Sequence, residues 1–485
     1  MKNIKIYSLL ILVILMTSCE NVLDVDIKSS IVAGNFPANG EEAKALLIGS
    51  YRQLKNTMNS TTYHIDRSDA FEVGKIGTVS QAWAQNLNAG NGPSWTGYYS
   101  ALYDINYLLD QVDQLDFNTE SLRDQTKAEA YFLRAFYYFQ MVKIWGEVPL
   151  ITTPLKSIDQ EVVGRSPISE VMEQINSDLN LSIQLFPNSD FDNKNFASKP
   201  ASYALQADIK MWSAKVLNGG ESDIDDALEA IAAVESAGVE LLDDFASVFD
   251  VSNKNNSEII FALYNDRNEY INHFANSLTP RTDIDFNSEL SPWVPSSPSF
   301  ARHNYSPSKQ IRDLFDNEND TRKDASFVPM LQADGDDEND LPDTSSFSQN
   351  KFIGELIDGI RQYTNDIILY RWSDLLLLRA EAYVAKNDID NAIIALNKVR
   401  NRANIGDYSG NLDIQSVNRA ILDERGRELF LEQKRWWDLR RFHADNTIDI
   451  YDFVPNLNDK DVPLYWPVSQ AVISLNPKVE QTSGY

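Results

Sequence analysis

Residues 375–399, LLLLRAEAYVAKNDIDNAIIALNKV, hold two runs of apolar residues at helical spacing, separated by a turn of only a few residues. Within them Ala380 precedes Tyr383, and Ala392 precedes Leu396 and Val399. A small residue on each helix lets the two axes approach closely, and the large apolar positions then fill the seam between them. RAFYYF, with Ala135 and Tyr138, echoes the first half of this unit, and ALQADIKMW with DDALEAIAAV repeats both halves around a longer turn. Helical pairs of this kind bury their apolar faces only by stacking on neighbouring pairs. That requirement narrows the chain to a mostly α body built from packed helical hairpins.

The spacing is that of a tetratricopeptide repeat, with unrelated amphipathic helices in a bundle as the alternative. The periodicity predicts helices over 95–112, 121–145, 169–186, 201–217, 224–237, 370–385, 389–402 and 418–442. Gly146, Pro187 and the Gly219-Gly220 pair stand where these helices should stop. Residues 265–350 have another texture, rich in proline, serine and asparagine with little periodicity. Their Trp293, Phe300 and Tyr305 argue for a functional surface rather than simple disorder.

One cysteine occurs in 485 residues, and its position is informative. Lys2 and Lys5 precede an apolar run from Ile6 to Leu15, and Met16-Thr17-Ser18 precedes Cys19. A charged start, a short apolar run and small residues before a cut site form an export signal, too short to span a bilayer. Small residues directly before a cysteine also resemble the bacterial lipoprotein box, with Met16 where leucine is usual. Cys19 is then a lipid attachment point rather than a nucleophile or metal ligand; an ordinary cleaved signal is the alternative. With Cys19 lipidated, the rest of the chain has no thiol for a disulfide, and core packing alone must hold it together.

The formal charge of −28 sets 71 acidic against 43 basic residues without a compensating basic run, which disfavours nucleic-acid binding. His64, His273, His303 and His443 lack the spacing of a zinc hydrolase, no G-x-S-x-G is present, and no carboxylate pair stands out as catalytic. No enzymatic activity and no cofactor are therefore expected. DGDDEND places Asp334, Asp336 and Glu338 at the alternating spacing that opens a calcium loop. Asn339 replaces the turn glycine and Ser345 the closing glutamate, so a solvated acidic loop is the preferred reading.

The whole chain resembles the SusD/RagB family of outer-membrane lipoproteins from Bacteroidetes. The similar blocks are the lipid-box cysteine, the helix carrying Trp95, Tyr99 and Leu109, and EAYFLRAFYYF with WGEVPL between Glu129 and Leu150. They continue with Asn319, Asp320 and Arg322, the LLRAEA helix, ERGRELFLEQKRWWDLRRF from Glu424 to Phe442, and the closing LYWPVSQAVISLNPKVEQTSGY. The resemblance implies a tetratricopeptide-like helical superhelix packed against irregular loops. It also implies anchoring on the outer face of the outer membrane and capture of oligosaccharides for a SusC-type TonB-dependent transporter. Peptide capture, or a scaffold lid without a ligand, are the alternatives. Divided on this basis, residues 1–18 are the signal, 19–40 a tether, 41–264 and 351–485 helical halves, and 265–350 the ligand-facing loops. Arg134, Glu428, Glu432, Arg435 and Asp438 read as a structural charge network, with Trp436 and Trp437 as packing.

Sugar rings offer flat C–H faces to rigid aromatic platforms, and neighbouring polar groups bind their hydroxyls. Loop aromatics are therefore the candidates. Trp83 and Asn86, in QAWAQNLNAG, have a W-x-x-N spacing similar to that of a starch-binding member of the family. Tyr270, Trp293, Phe300 and Tyr305 belong to the irregular region, and Arg281 and Asp69 could supply polar contacts. Each aromatic has an alternative role, pinning its own loop to the body.

Overall fold

The structure is a computed structural model, described here for residues 36–74, 78–154, 161–269, 274–280, 301–329 and 347–485. Its longer helices are α1 (Gly40–Met58), α2 (Thr96–Gln111), α3 (Glu120–Trp145), α4 (Ile168–Leu185), α5 (Lys199–Val216) and α6 (Glu221–Glu235). After the loop region come α7 (Trp372–Ala385), α8 (Ile389–Arg402), α9 (Ile414–Glu428) and α10 (Arg435–Ala444). The strands are short: β1 (Phe71–Val73), β2 (Ile259–Leu263), β3 (Tyr305–Pro307), β4 (Phe327–Pro329), β5 (Phe347–Gln349), β6 (Glu355–Ile357), β7 (Ile360–Gln362) and β8 (Ile367–Arg371). They pair antiparallel as β1–β3, β2–β8, β4–β5 and β6–β7. None of the described helices is long and apolar enough to cross a membrane.

The helices begin and end where local chemistry directs. The Thr119 side chain accepts the Leu122 N–H at the start of α3, and Ser198 accepts Ala201 N–H at the start of α5. α3 stops at Gly146, whose φ of +75° belongs to the region that glycine alone enters freely. The unbroken buried run from Phe132 to Trp145 makes α3 the central helix, enclosed on every side, with Arg134, Gln140 and Lys143 as the polar side chains within it. In the α7–α8 pair both small residues, Ala380 and Ala392, are fully buried, as close helix approach demands.

Two hydrophobic cores lie on opposite faces of the β2–β8 ribbon. Ile260, Phe261, Leu263, Ile367 and Leu369 join the large helical core, while Ile259, Ala262 and Ile368 join a smaller one. All residues of both strands are buried, so the ribbon reads as a continuous apolar run. The smaller core packs Phe71, Phe245, Phe274, Tyr305, Phe315, Phe327 and Phe430 beneath the irregular segments.

The single helix predicted over 418–442 is instead two, α9 and α10, separated by a six-residue break. Leu431 (φ +65°) and Gln433 (φ +63°) turn the chain sharply there. The break lets Glu432 reach Arg371 at 2.6 Å and Lys351 at 2.5 Å, while Gln433 donates to Met58 O at 3.2 Å. Local helix propensity yields to buried ion pairing. α1, which the sequence reading did not single out, is capped by the Asn39 side chain and buries Ala43, Leu47, Leu54 and Met58.

Candidate functional site

The stretch YHIDRSDAFEVG sets charged residues among apolar ones, and the structure puts those charges inside. Asp66 is buried, accepting the Ser80 hydroxyl at 2.6 Å and the Tyr305 hydroxyl at 3.0 Å. The Ser80 N–H donates to the same Tyr305 oxygen at 2.9 Å, and the Ser80 hydroxyl accepts the Trp83 N–H at 3.0 Å. Burial raises the Asp66 carboxyl above its ordinary value, against the pull of these hydroxyls. Arg67 grips the other side of the loop. Its Nε donates to Gln85 Oε1 at 2.9 Å, and Gln85 donates back to Arg67 O at 3.0 Å, with Gln85 itself at φ +53°. The guanidinium lies 4.7 Å above the ring of Trp436 and donates to the carbonyls of Pro463 and Leu464. Burial pushes it down to about 10.

This frame fixes Trp83 at the surface of the smaller core. Its indole N–H donates to Phe71 O at 2.9 Å, and its half-buried ring packs on that core. Asn86 is exposed beside it; its side chain donates to Gln81 Oε1 at 2.9 Å, and its carbonyl accepts from Asn91 at 2.8 Å. Farther along the loop, Ala89 O accepts the Gln470 N–H at 2.8 Å. The result is a platform held by many hydrogen bonds, the neutral ones contributing about 1 kcal/mol each and those of Arg67 about 1.5–3 kcal/mol.

Next to the platform, the described residues that flank 75–77, 281–300 and 330–346 converge. Gly74 N–H donates to Asn304 O at 2.7 Å, and a Cβ on Gly74 would lie 2.1 Å from His303 O, so this close strand approach requires glycine. His303 N–H donates to Thr279 O at 3.0 Å, while its Nε2 lies 2.9 Å from Phe347 O. Phe347 pairs with Pro329 across β4–β5. Gly74, Thr279, His303, Pro329 and Phe347 are thus gathered at one edge of the smaller core.

Of the residues expected to meet a ligand, Trp83 and Asn86 lie on this face. Two expectations give way. Tyr305 is 4% exposed, lies in β3 and stacks on Phe71 with ring centroids 4.9 Å apart, so it supports the loop from beneath. Asp69 is 2% exposed and holds Arg435 through two bonds of 2.7 Å, so its carboxylate is committed to a buried ion pair out of a ligand's reach. Tyr270, Arg281, Trp293 and Phe300 lie outside the described residues, as do Cys19 and the acidic run with Asp334, Asp336 and Glu338. Among the described residues no group of three His, Cys, Asp or Glu side chains could hold a metal ion. Sequence reasoning missed Asp66, Arg67 and Ser80; the available signal was a charged pair embedded between apolar residues.

The expected charge network is structural and larger than the five residues named for it. Arg322 binds Asp320, Glu424 and Glu428 at 2.6–2.9 Å, and Arg371 binds Glu258, Glu428 and Glu432 at 2.5–2.7 Å, all essentially without exposure. Arg134 stands apart from it, paired with Asp178 at 2.7 Å. Trp436 and Trp437 are buried in the helical core.

Comparison with known proteins agrees along the chain. A family model described as "Starch-binding associating with outer membrane" matches residues 34–211, and one described as "SusD family" matches residues 257–485. SusD-like protein P38 of Formosa agariphila is 26% identical across 100% of this chain and 99% of its own. Starch-binding protein SusD of Bacteroides thetaiotaomicron is 23% identical across 97% of this chain and 96% of its own. A SusD superfamily protein from Bacteroides fragilis superposes with a TM-score of 0.82 at 26% identity, covering 92% of this chain and 99% of that one. With its helical hairpins, its second aromatic core and family matches over residues 34–211 and 257–485, the chain belongs to the SusD/RagB family.

Proposed function

We propose that this protein captures glycans at the face carrying Trp83 and Asn86 and passes them to a SusC-type TonB-dependent transporter. It is tethered to the outer membrane by a lipid on Cys19. No bond of the ligand is made or broken; the protein holds and releases. The observation that carries this reading is the platform itself. A half-buried tryptophan is fixed by its own N–H and by a buried Asp66–Ser80–Tyr305 cluster, beside an exposed asparagine. A rigid aromatic loses little conformational freedom on meeting a sugar face, and an amide beside it can read hydroxyl positions. The family description and the name of the starch-binding relative support carbohydrate as the ligand class.

The test is native electrophoresis of residues 20–485 in gels containing single polysaccharides, with Trp83→Ala and Asn86→Ala alongside. One glycan should retard the wild type. Trp83→Ala should weaken the affinity behind that retardation by about five- to thirtyfold, as expected for loss of one stacking platform worth about 1–2 kcal/mol. The glycan recovered from the gel should be unshortened. Retardation by no glycan would shift the reading to peptide capture, and shortened product would end the proposal of binding without chemistry.

A further inference from the structure

Among the described residues, buried carboxylates are, with few exceptions, held by cations. Asp178 binds Arg134 at 2.7 Å, Glu258 binds Arg371 at 2.7 Å, and Glu381 binds Arg441 at 3.0 Å. Glu129 on α3 is different. It is 6% exposed, and the Tyr51 hydroxyl donates to its Oε2 at 2.9 Å. That hydroxyl also accepts the Ala197 N–H at 2.8 Å, which fixes the phenol and aims it at the carboxyl. Burial pushes Glu129 up to about 7, outweighing the smaller opposing effects of Tyr51, Lys44 and Gln125.

Glu129 also lines a cavity of about 330 Å³ between α1, α3 and the connection from α4 to α5. Phe186 and Phe196 give the cavity apolar walls, and the exposed Asp190 and Asp192 stand at its mouth. The charged and titratable groups around Glu129 are Lys44 and Tyr51 on α1, Asp190 and Asp192 on the connection, and Lys199 at the head of α5. Two lysines against three carboxyls leave the cavity acidic once Glu129 is ionised. A buried carboxylate without a close cation is costly, and a cation entering beside it offsets that cost. The apolar walls and the amides of Asn188 and Asn193 suit a hydroxylated carbon skeleton rather than a bare metal ion.

We propose that this cavity binds a small polyol bearing a primary ammonium group, with the Glu129 carboxylate as its counter-ion and Asp190 and Asp192 drawing it in. The site shares no residue with the Trp83 face and stands independently of the glycan reading.

Calorimetric titration of the full-length protein with glucamine and with sorbitol, which has a hydroxyl in place of the amine, tests this. Glucamine should bind about tenfold more tightly at pH 8 than at pH 6, because the carboxyl must be ionised to receive the ammonium. Sorbitol should bind at least about tenfold more weakly than glucamine at pH 8. Glu129→Gln should abolish the pH dependence. Asp192→Asn, at the exposed mouth and away from the Tyr51 bond, should weaken binding about two- to threefold and serves if Glu129→Gln fails to fold. Trp83→Ala should leave glucamine binding unchanged. Equal binding of the two polyols, no binding of glucamine, a pH dependence that survives in folded Glu129→Gln, or an Asp192→Asn variant indistinguishable from wild type would each overturn the proposal.

Discussion

Asp69 and Arg435 are separated by 366 residues in sequence and meet through two 2.7 Å bonds inside the protein. Removing one partner strands the other as a buried charge, so Asp69→Ala should destabilise by about 3–5 kcal/mol. Urea unfolding measures this directly, and a loss below 1 kcal/mol would show the pair to be dispensable. The paired carboxylates also set a pH dependence. Glu424, Glu428 and Glu381 are held below the ordinary glutamate range by their arginines, in spite of burial. A carboxyl with a depressed folded value contributes stability that is full above its unfolded value, about 4.3, and is lost as pH falls through the folded value. Through these groups unfolding free energy should fall steeply below about pH 4, while Glu129, raised to about 7, adds a separate decline as pH rises through that value. A protein whose unfolding free energy did not fall between pH 5 and pH 3 would contradict the assignment. At this scale the sequence was legible where charges stand on helices, as for Glu428, Arg435 and Asp438, whereas Glu432 joins the network from the break between α9 and α10. It was opaque for Asp69, read as a ligand contact, because a partner so distant in sequence leaves no local trace.

At the scale of elements, periodicity placed the helices well and their interruptions poorly. The bounds of α3, α4, α5 and α8 fall within two residues of expectation because caps and stops are written locally: Thr119, Ser198, Asp388 and Gly146. The break between α9 and α10 has no such local mark, being imposed by what Glu432 and Gln433 reach across the fold. Tyr305 was expected on a loop for the same reason. A three-residue strand paired with β1 carries almost no periodic signal, yet it buries the ring against Phe71. Gly146 gives a test at this level. At φ +75° and ψ −109° any side chain is strained, and a Cβ would also come to 3.4 Å from the Tyr465 ring. Gly146→Ala should cost at least about 1–2 kcal/mol, visible as a lowered thermal midpoint, whereas an unchanged midpoint would mean that the turn can relax.

On the scale of the whole molecule, labour is divided across the β2–β8 ribbon. The helical core is large, continuous and tied by buried ion pairs, and it gives the scaffold. The smaller aromatic core gathers β1, β3, β4 and β5 and presents Trp83 at its surface. The repeat spacing made the scaffold readable from sequence, since stacked helical pairs leave a regular imprint. The functional face was readable only in outline, through Trp83 and Asn86, because its frame of Asp66, Arg67, Ser80 and Tyr305 is assembled from separate parts of the chain. The central claim is that this framed platform is where a glycan is held. Amide hydrogen exchange, followed with and without the polysaccharide that retards the protein, tests it most directly. The account predicts slowed exchange in residues 78–94 and along β1 and β3, and little change in α7 to α10. Slowed exchange confined to the helical hairpins, with residues 78–94 unaffected, would contradict it.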